Sequence, residues 1–318
     1  MIQFMVITLM SKKRVSAYII LTIVSLLWGI ASPVIKYTLN FLPPYSFLFW
    51  RFLITSLIFL PLFIYSLKKQ PIKIKDLPWL IFLGFLSTPL NLILLFVGYK
   101  KTTSMDGVLI SSTAPIFITI GGALFLKEKV SRIEKIGLII AVIGSLITLS
   151  QPIFEGSLFK GSLTGNLLVF ASVFAWAAYT LFAKVKSLKY HPIIPTAIGF
   201  FVGLITVIPF VLLSEGFLPN YQLLITNYSN ALPGVLYMCF FSSLIAYTLY
   251  RYGLSLIEAS EATLFAYLQP VFAAPFALLW LGERISFPFL LGAFFILIGV
   301  LVNEFISTRR KPASLLDG

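Results

Sequence analysis

Ten apolar stretches, each about 20 residues long and joined by short charged or Pro/Gly/Asn-rich connectors, limit what this chain can become. They fall near residues 15–37, 45–67, 77–99, 106–126, 133–151, 163–184, 195–213, 229–250, 260–281 and 287–306. A helix of about 20 apolar residues crosses the bilayer hydrocarbon with every backbone polar group satisfied internally. Stretches such as 53–64 and 289–302 are apolar on every face, which excludes an outer-membrane barrel, whose strands alternate. With 59% hydrophobic and 11% charged residues, the chain is far from a soluble domain, which carries about a quarter of its residues as charges. The fold class expected is an all-α membrane protein of ten transmembrane helices. The first stretch follows Lys12, Lys13 and Arg14 and shows no small-residue cleavage site before Lys36, so it reads as a retained helix, with Met10 an alternative start.

In a soluble protein a net charge of +13 would suggest nucleic acid as a partner. Here it is an orientation signal. With the N-terminus in the cytoplasm, eighteen of the 24 Lys and Arg fall in cytoplasmic connections and tails and five outside, leaving Arg51 inside a span. That bias places both termini inside, in the cytoplasmic membrane, with no role for nucleic acid. A single cysteine, Cys239, forms no intrachain disulfide and reads as a small core hydrophobe; with His191 the only histidine, a metal site is not expected.

The chain repeats itself. A shift of 155 residues places Pro115 on Pro270, Glu128 on Glu283, Lys129 on Arg284, Ser131 on Ser286, Gly137 on Gly292, Gly144 on Gly299 and Asp106 on Glu261. A shift of 148 places Trp28 on Trp176, Lys36 on Lys184, Pro44 on Pro192 and Pro61 on Pro209. The organisation expected is a cytoplasmic tail (1–14), a first five-helix repeat (15–151), a connector (152–162), a second repeat (163–306) and a cytoplasmic tail (307–318). Five is odd, so the copies cross in opposite senses, the inverted arrangement associated with alternating access in secondary transporters.

Trp28-Gly29 followed by Lys36, Arg51 in the second helix, and the Pro115 to Gly137 stretch echoed by Pro270, Gly282-Glu283-Arg284 and Gly292 resemble the ten-helix EamA branch of the drug/metabolite transporter superfamily. The resemblance runs from about Ala17 to Val302. It implies movement of small metabolites, often amino acids, across the cytoplasmic membrane and usually outward. One departure is Lys127, where the second copy has Gly282.

The few polar groups inside the apolar majority are the candidates for function. Trp28, Ser32 and Lys36 are spaced by four, as are Trp176, Thr180 and Lys184, so each trio lies along one helix face. Trp28 stands about 16 Å along the first helix, away from the interfacial belt where Trp usually sits. The indoles therefore read as walls of a substrate cavity and the lysines as groups at its mouths, with helix packing and snorkelling the structural alternative. Arg51 is the one formal charge well inside an expected span, and an intramembrane charge marks a functional site or a buried partner. Lys36 and Arg51 both suit a substrate anion. Ser111-Ser112-Thr113-Ala114-Pro115 and Ala266-Tyr267-Leu268-Gln269-Pro270 carry matched helix breaks near mid-membrane, with Pro115, Pro270 and Lys184 assigned to bending or gating. Gln269, Asn91, Ser112, Tyr247 and Tyr267 complete the substrate-binding set, and Tyr99 and Tyr250 are further candidates. Ser131 to Glu134 fits a capping box, and Asp106 and Glu261 suit the positive ends of helices.

No carboxylate lies deep in any stretch, so the membrane-embedded acid of a proton-coupled cation exporter is missing. No HExxH, GxSxG or glycine-rich phosphate loop is present either, so no enzyme chemistry and no cofactor are expected. The expected function is a secondary transporter that binds a small metabolite, an amino acid or similar amphipathic solute, between its halves. An exporter of drug-like compounds and a non-transporting scaffold or receptor are the alternatives. Expected partners are the substrate and the lipid bilayer; a monomer is plausible.

Overall fold

A computed structural model describes residues 12–127, 132–149, 163–186, 189–215 and 228–282, with scattered positions between 287 and 302. Among these the chain is helical throughout and contains no strand. The helices are α1 (Lys12–Thr38), α2 (Pro44–Lys69), α3 (Leu77–Phe85), α4 (Asn91–Lys101), α5 (Ser104–Ser111), α6 (Ala114–Phe125), α7 (Arg132–Leu149), α8 (Leu163–Lys186), α9 (Ile193–Ser214), α10 (Tyr228–Tyr237), α11 (Ala246–Leu256), α12 (Ala259–Thr263) and α13 (Gln269–Leu281). A π-turn at Leu86–Leu90 joins α3 to α4, another at Met238–Ile245 joins α10 to α11, and a 3-10 segment at Leu264–Leu268 links α12 to α13.

Eight of the resulting rods are long and apolar enough to cross a membrane: Lys13–Thr38, Pro44–Lys69, Ile74–Lys101, Ser104–Phe125, Thr164–Val185, Ile193–Ser214, Ser229–Leu256 and Glu261–Leu281. Two shorter apolar helices, Lys135–Gly144 and Leu290–Gly299, stand where the fifth and tenth stretches fall. The outer surface is covered by large apolar side chains such as Leu57, Ile120, Leu124, Ile205 and Leu279, the surface expected of a multi-pass membrane protein. Ser131, Glu128, Lys129, Glu283, Arg284 and Ser286 and the tails lie outside the described residues, so the capping box and the two acidic motifs do too.

Breaks were expected beside Pro115 and Pro270, in 106–126 and 260–281, but not in 77–99 and 229–250; all four are interrupted. The interruptions match: under the 155-residue shift Leu86–Leu90 falls inside Met238–Ile245, and the Ser112-Thr113 turn between α5 and α6 falls on Tyr267-Leu268. Pro115 and Pro270 do not kink a running helix. Each sits in the first turn of a new one, where a proline loses no hydrogen bond because the first N–H groups have no helical partner.

Packing repeats in the same way. Helix α8 lies against α4 and α6, and α1 lies against α11 and α13, so the first helix of each half is embedded in the other half. At the first contact a Cβ on Gly98 would stand 2.7 Å from Val169; at the second a Cβ on Gly253 would stand 2.9 Å from Leu21. These positions correspond under the two shifts. At Gly98 the backbone of Gly165 and Val169 also stands 3.0 Å from that Cβ, so glycine is required there, whereas at Gly253 the neighbour is the end of the Leu21 side chain.

The ends of the long helices are tied to their neighbours, by a lysine within each half and by Glu261 across the halves. Lys36 Nζ donates to the carbonyls of Tyr99 (3.0 Å) and Thr102 (2.5 Å) at the end of α4, and Lys184 Nζ donates to those of Leu254 (2.7 Å) and Ile257 at the end of α11. Glu261 does more than face a helix dipole. It accepts from Arg14 Nη2 (2.5 Å) and Nε (3.1 Å) and from the Tyr18 hydroxyl, fixing the start of α1 to α12. Asp106 holds the expected place, its amide bonded to the Thr103 hydroxyl that caps α5. Cys239 is a buried free thiol.

Candidate functional site

Where α1, α2, α4, α5, α8, α11 and α13 converge, they enclose a cavity of about 130 Å³. A water needs roughly 10–15 Å³ of such space, so there is room for about ten, the size of an amino acid or small acid. Its wall is mostly apolar, from Leu21, Val24, Ile35, Leu92, Leu95 and Val173, and Ala114 stands beside the Ser112-Thr113 turn.

One side of the cavity is aromatic. Trp28 and Trp176 meet edge to face with ring centroids 5.3 Å apart, and both pack on Tyr247 (5.4 and 5.8 Å) and Tyr250 (5.2 and 5.1 Å). Such tilted and T-shaped pairs are the arrangement that ring quadrupoles favour. The Trp28 indole N–H donates to the carbonyl of Ser242 at 3.2 Å, an acceptor near the middle of the π-turn that joins α10 to α11. The Tyr247 hydroxyl donates to the Ser87 carbonyl at 3.3 Å, inside the other π-turn. A π-turn displaces carbonyls from the helical ladder, and at functional positions it often serves to offer them to side chains.

The other side carries charge. Arg51 is 1% exposed, its Nε donating to the Ser243 hydroxyl at 2.9 Å and its Nη2 to the Ser242 hydroxyl at 3.3 Å. The guanidinium lies 5.5 Å from the Phe96 ring centre. Its Nη1 has no hydrogen-bond partner among the described residues, and no Asp or Glu lines the cavity. On the opposite half the corresponding residue is Gly199, where a Cβ would stand 2.8 Å from Thr88 Oγ1 and 3.4 Å from Ser87 Oγ. Ser87 and Thr88 correspond to Ser242 and Ser243, so the same hydroxyl pair receives an arginine in one half and a bare backbone in the other.

Seven of the expected residues line the cavity: Trp28, Ser32, Arg51, Asn91, Trp176, Tyr247 and Gln269. Asn91 spends its amide N–H on the Ser172 carbonyl (2.8 Å), and Ser32 shares a hydrogen bond with Tyr99 (2.7 Å). The other expected residues stand off the wall. Ser112 bonds the Val108 carbonyl of its own helix, Thr180 bonds Tyr250, Tyr267 is fully buried behind the 3-10 segment, and Lys36 and Lys184 are held by helix-end carbonyls. Tyr99 and Tyr250, the further candidates, do line it. Ser25, Ser111, Ser172, Ser242 and Thr263 line it as well and were not singled out. The repeat held a signal for Ser242, since Ser87-Thr88 and Ser242-Ser243 are matched pairs of small hydroxyls within apolar stretches. A second buried arginine was also missed: Arg251 is 3% exposed and donates to the Tyr179 hydroxyl at 2.6 Å, away from this cavity.

The sequence matches the EamA-like transporter family twice, over residues 15–150 and 163–305. The chain belongs to that family. As an EamA-like protein it is a non-enzymatic membrane transporter, with a small molecule as the cargo that its family implies. It is 30% identical to an uncharacterized transporter of Archaeoglobus fulgidus over 90% of this chain and 97% of that one. It is 27% identical to a probable amino-acid metabolite efflux pump of Salmonella typhimurium over 92% of this chain and 95% of the relative. A crystal structure with 16% identity shares the fold at a TM-score of 0.71, covering 93% of this chain and 99% of the other.

Proposed function

We propose that this EamA-like transporter is a ten-helix carrier of two inverted five-helix repeats, 15–151 and 163–306, in the cytoplasmic membrane with both termini inside. It binds an amino acid or similar amphipathic metabolite in the cavity and exports it by alternating access. The observation that carries this reading is the cavity itself, closed by matched helix breaks and by first helices exchanged between halves. Paired contacts such as Gly98 on Val169 and Gly253 on Leu21 support two interchangeable packings of similar energy, the requirement for a two-state carrier. The relative in Salmonella typhimurium, named for amino-acid metabolite efflux, supports the substrate class and the direction.

Within this reading Trp28, Trp176 and Tyr247 receive the apolar part of the substrate and Ser32, Asn91 and Gln269 its polar part. Ser112, Thr180 and Tyr267 support the wall from behind, Pro115 and Pro270 start the helices that move, and Lys36 and Lys184 hold the two mouths. The test is counterflow in proteoliposomes against a panel of amino acids, organic acids, nucleosides and cationic dyes. Uptake of an amino acid or organic acid without a proton gradient is expected. Proton-coupled flux of a dye alone, or no flux of any solute, refutes the reading.

A further inference from the structure

Among the described residues Arg51 is a charge with no counter-charge. It is withdrawn from water, its two hydrogen-bond partners are neutral hydroxyls, and no carboxylate lines the cavity it borders. A buried ion held only by dipoles is a costly arrangement, and the matched place in the other half, Gly199, does without one. The serines orient the group as well as satisfy it. Ser243 Oγ donates to the Met238 carbonyl at 2.7 Å, so it presents a lone pair to Arg51 Nε, and Ser242 Oγ takes Nη2. Nη1, itself buried, is then the guanidinium nitrogen without a partner among the described residues. A planar guanidinium with an unsatisfied nitrogen is the group best shaped for a carboxylate.

Resting on the cavity as the transport site, we propose that the substrate is a small carboxylate, bound by its CO2− at Arg51 Nη1 with its apolar body against the indoles of Trp28 and Trp176. A zwitterionic amino acid and the 2-oxo acid of the same carbon skeleton both present this group. The indoles touch edge to face and give the body an aromatic wall, and a cavity with room for about ten waters suits one carboxylate with a side chain of leucine or phenylalanine size. Lys36 takes no part, because it is bonded to the ends of α4.

The test uses matched ligands on purified full-length protein, read by thermal stability in detergent and by competition in counterflow. The two sets are phenylalanine, phenylpyruvate, phenylalaninamide and phenethylamine, and leucine, 4-methyl-2-oxopentanoate and leucinamide. In at least one set the carboxylates are expected to stabilise and compete while amide and amine do not. Amino acid without oxo acid, or the reverse, identifies which source the site accepts and upholds the carboxylate. Arg51→Gln is expected to weaken carboxylates by about 10- to 100-fold, the loss of one charge-assisted hydrogen bond, and Arg51→Lys by less. Amides or amines that act as well as carboxylates overturn the proposal while leaving transport intact, as does Arg51→Gln with unchanged carboxylate preference. No ligand response in either set also overturns it. Carboxylate stabilisation without flux of any solute upholds the site and refutes the transport reading. If Arg51→Gln fails to fold, the wild-type ranking and Arg51→Lys still decide.

Discussion

Lys36 and Lys184 provide the most direct probe of the two-state reading, because they make the same contact in the two halves, which the proposed inversion would place at opposite mouths. Each ammonium donates to two carbonyls at the end of a helix in the other rod, Tyr99 and Thr102 for Lys36, Leu254 and Ile257 for Lys184. A hydrogen bond from a charged donor contributes about 1.5–3 kcal/mol, so each lysine, with two, makes about 4 kcal/mol of contacts in the lower half of that range. Holding the side chain offsets about 2 kcal/mol of that as lost rotamer freedom. About 2 kcal/mol remains, equivalent to a roughly 30-fold bias toward the clamped mouth. Lys36→Met is therefore expected to raise the open population at the Lys36 mouth about 30-fold, and Lys184→Met to do the same at the other. The assay is the alkylation rate of Ala31→Cys with an impermeant reagent added from either side of the membrane. Cys239 is buried and expected to remain silent. The two variants should change the rate from opposite sides. A change from the same side in both, or no change in either, refutes the inverted pairing of the clamps.

Backbone conformation gives a second pair of predictions. Lys127 and Gly282 correspond in the repeat, and both adopt left-handed backbone, at φ 54° and 62°. Gly282→Ala is expected to cost about 1–2 kcal/mol although a Cβ there would touch nothing, and Lys127→Gly to be stabilising by about 0.5 kcal/mol after the added freedom of the unfolded chain; melting temperatures in detergent check both. Gly29→Ala should lower the melting temperature by several degrees, because its Cβ would stand 2.6 Å from the Gln269 carbonyl oxygen, which is backbone. Gly121→Ala should not, because the obstacle is the mobile end of Leu181. Gln269→Ala is expected to reduce flux with folded protein at the wild-type level, and unchanged kinetics would remove that side chain from the site. The Asp76 hydrogen bond holds the Lys189 ammonium above the ordinary lysine range, so this contact is complete below that range and is lost only as pH rises through it. Stability between pH 6 and 9 should therefore show no pH dependence from this pair, whose contribution is constant there, and a pH-dependent step in that window that Asp76→Asn removes would refute the assignment.

What was legible in the sequence followed from spacing. Trp28 with Ser32 and Trp176 with Thr180 sit on their predicted helix faces, and the indoles do meet, because a period of four fixes direction once a helix forms. The breaks beside Pro115 and Pro270 were legible, whereas the π-turn at Met238–Ile245 was hidden, since that segment is as apolar as the helix around it. Side-chain reach was hidden for the same reason. Lys36 has stem enough to leave the cavity and bond another helix, whereas Arg51 is held by two short serines. Sequence spacing places the first atom of a side chain, and packing decides where the last one goes.

Two matched halves that enclose one cavity would, if identical, offer a substrate the same surroundings in two opposed orientations. Identity is broken at most matched places in the wall, Trp28 and Trp176 being an identical pair. Asn91 corresponds to Ala246, and Arg51 to Gly199. Both polar members belong to the first half, and each takes its bond from the second: Asn91 from the Ser172 carbonyl, Arg51 from the Ser242 and Ser243 hydroxyls. The substitutions in the second half are also what its packing demands, since Gly199 must admit Thr88 and Gly84 at close range. The halves thus divide the work. The first supplies the arginine and Asn91, and the second supplies Gln269 and Tyr247 where the first has Ala114 and Leu92. Arg51→Gly with Gly199→Arg would not move the site across the cavity: at 199 an arginine meets Thr88 within van der Waals contact, while at 51 it has room. The polarity of the site is fixed by packing, and the carboxylate end of the substrate is expected to face α2 throughout the cycle.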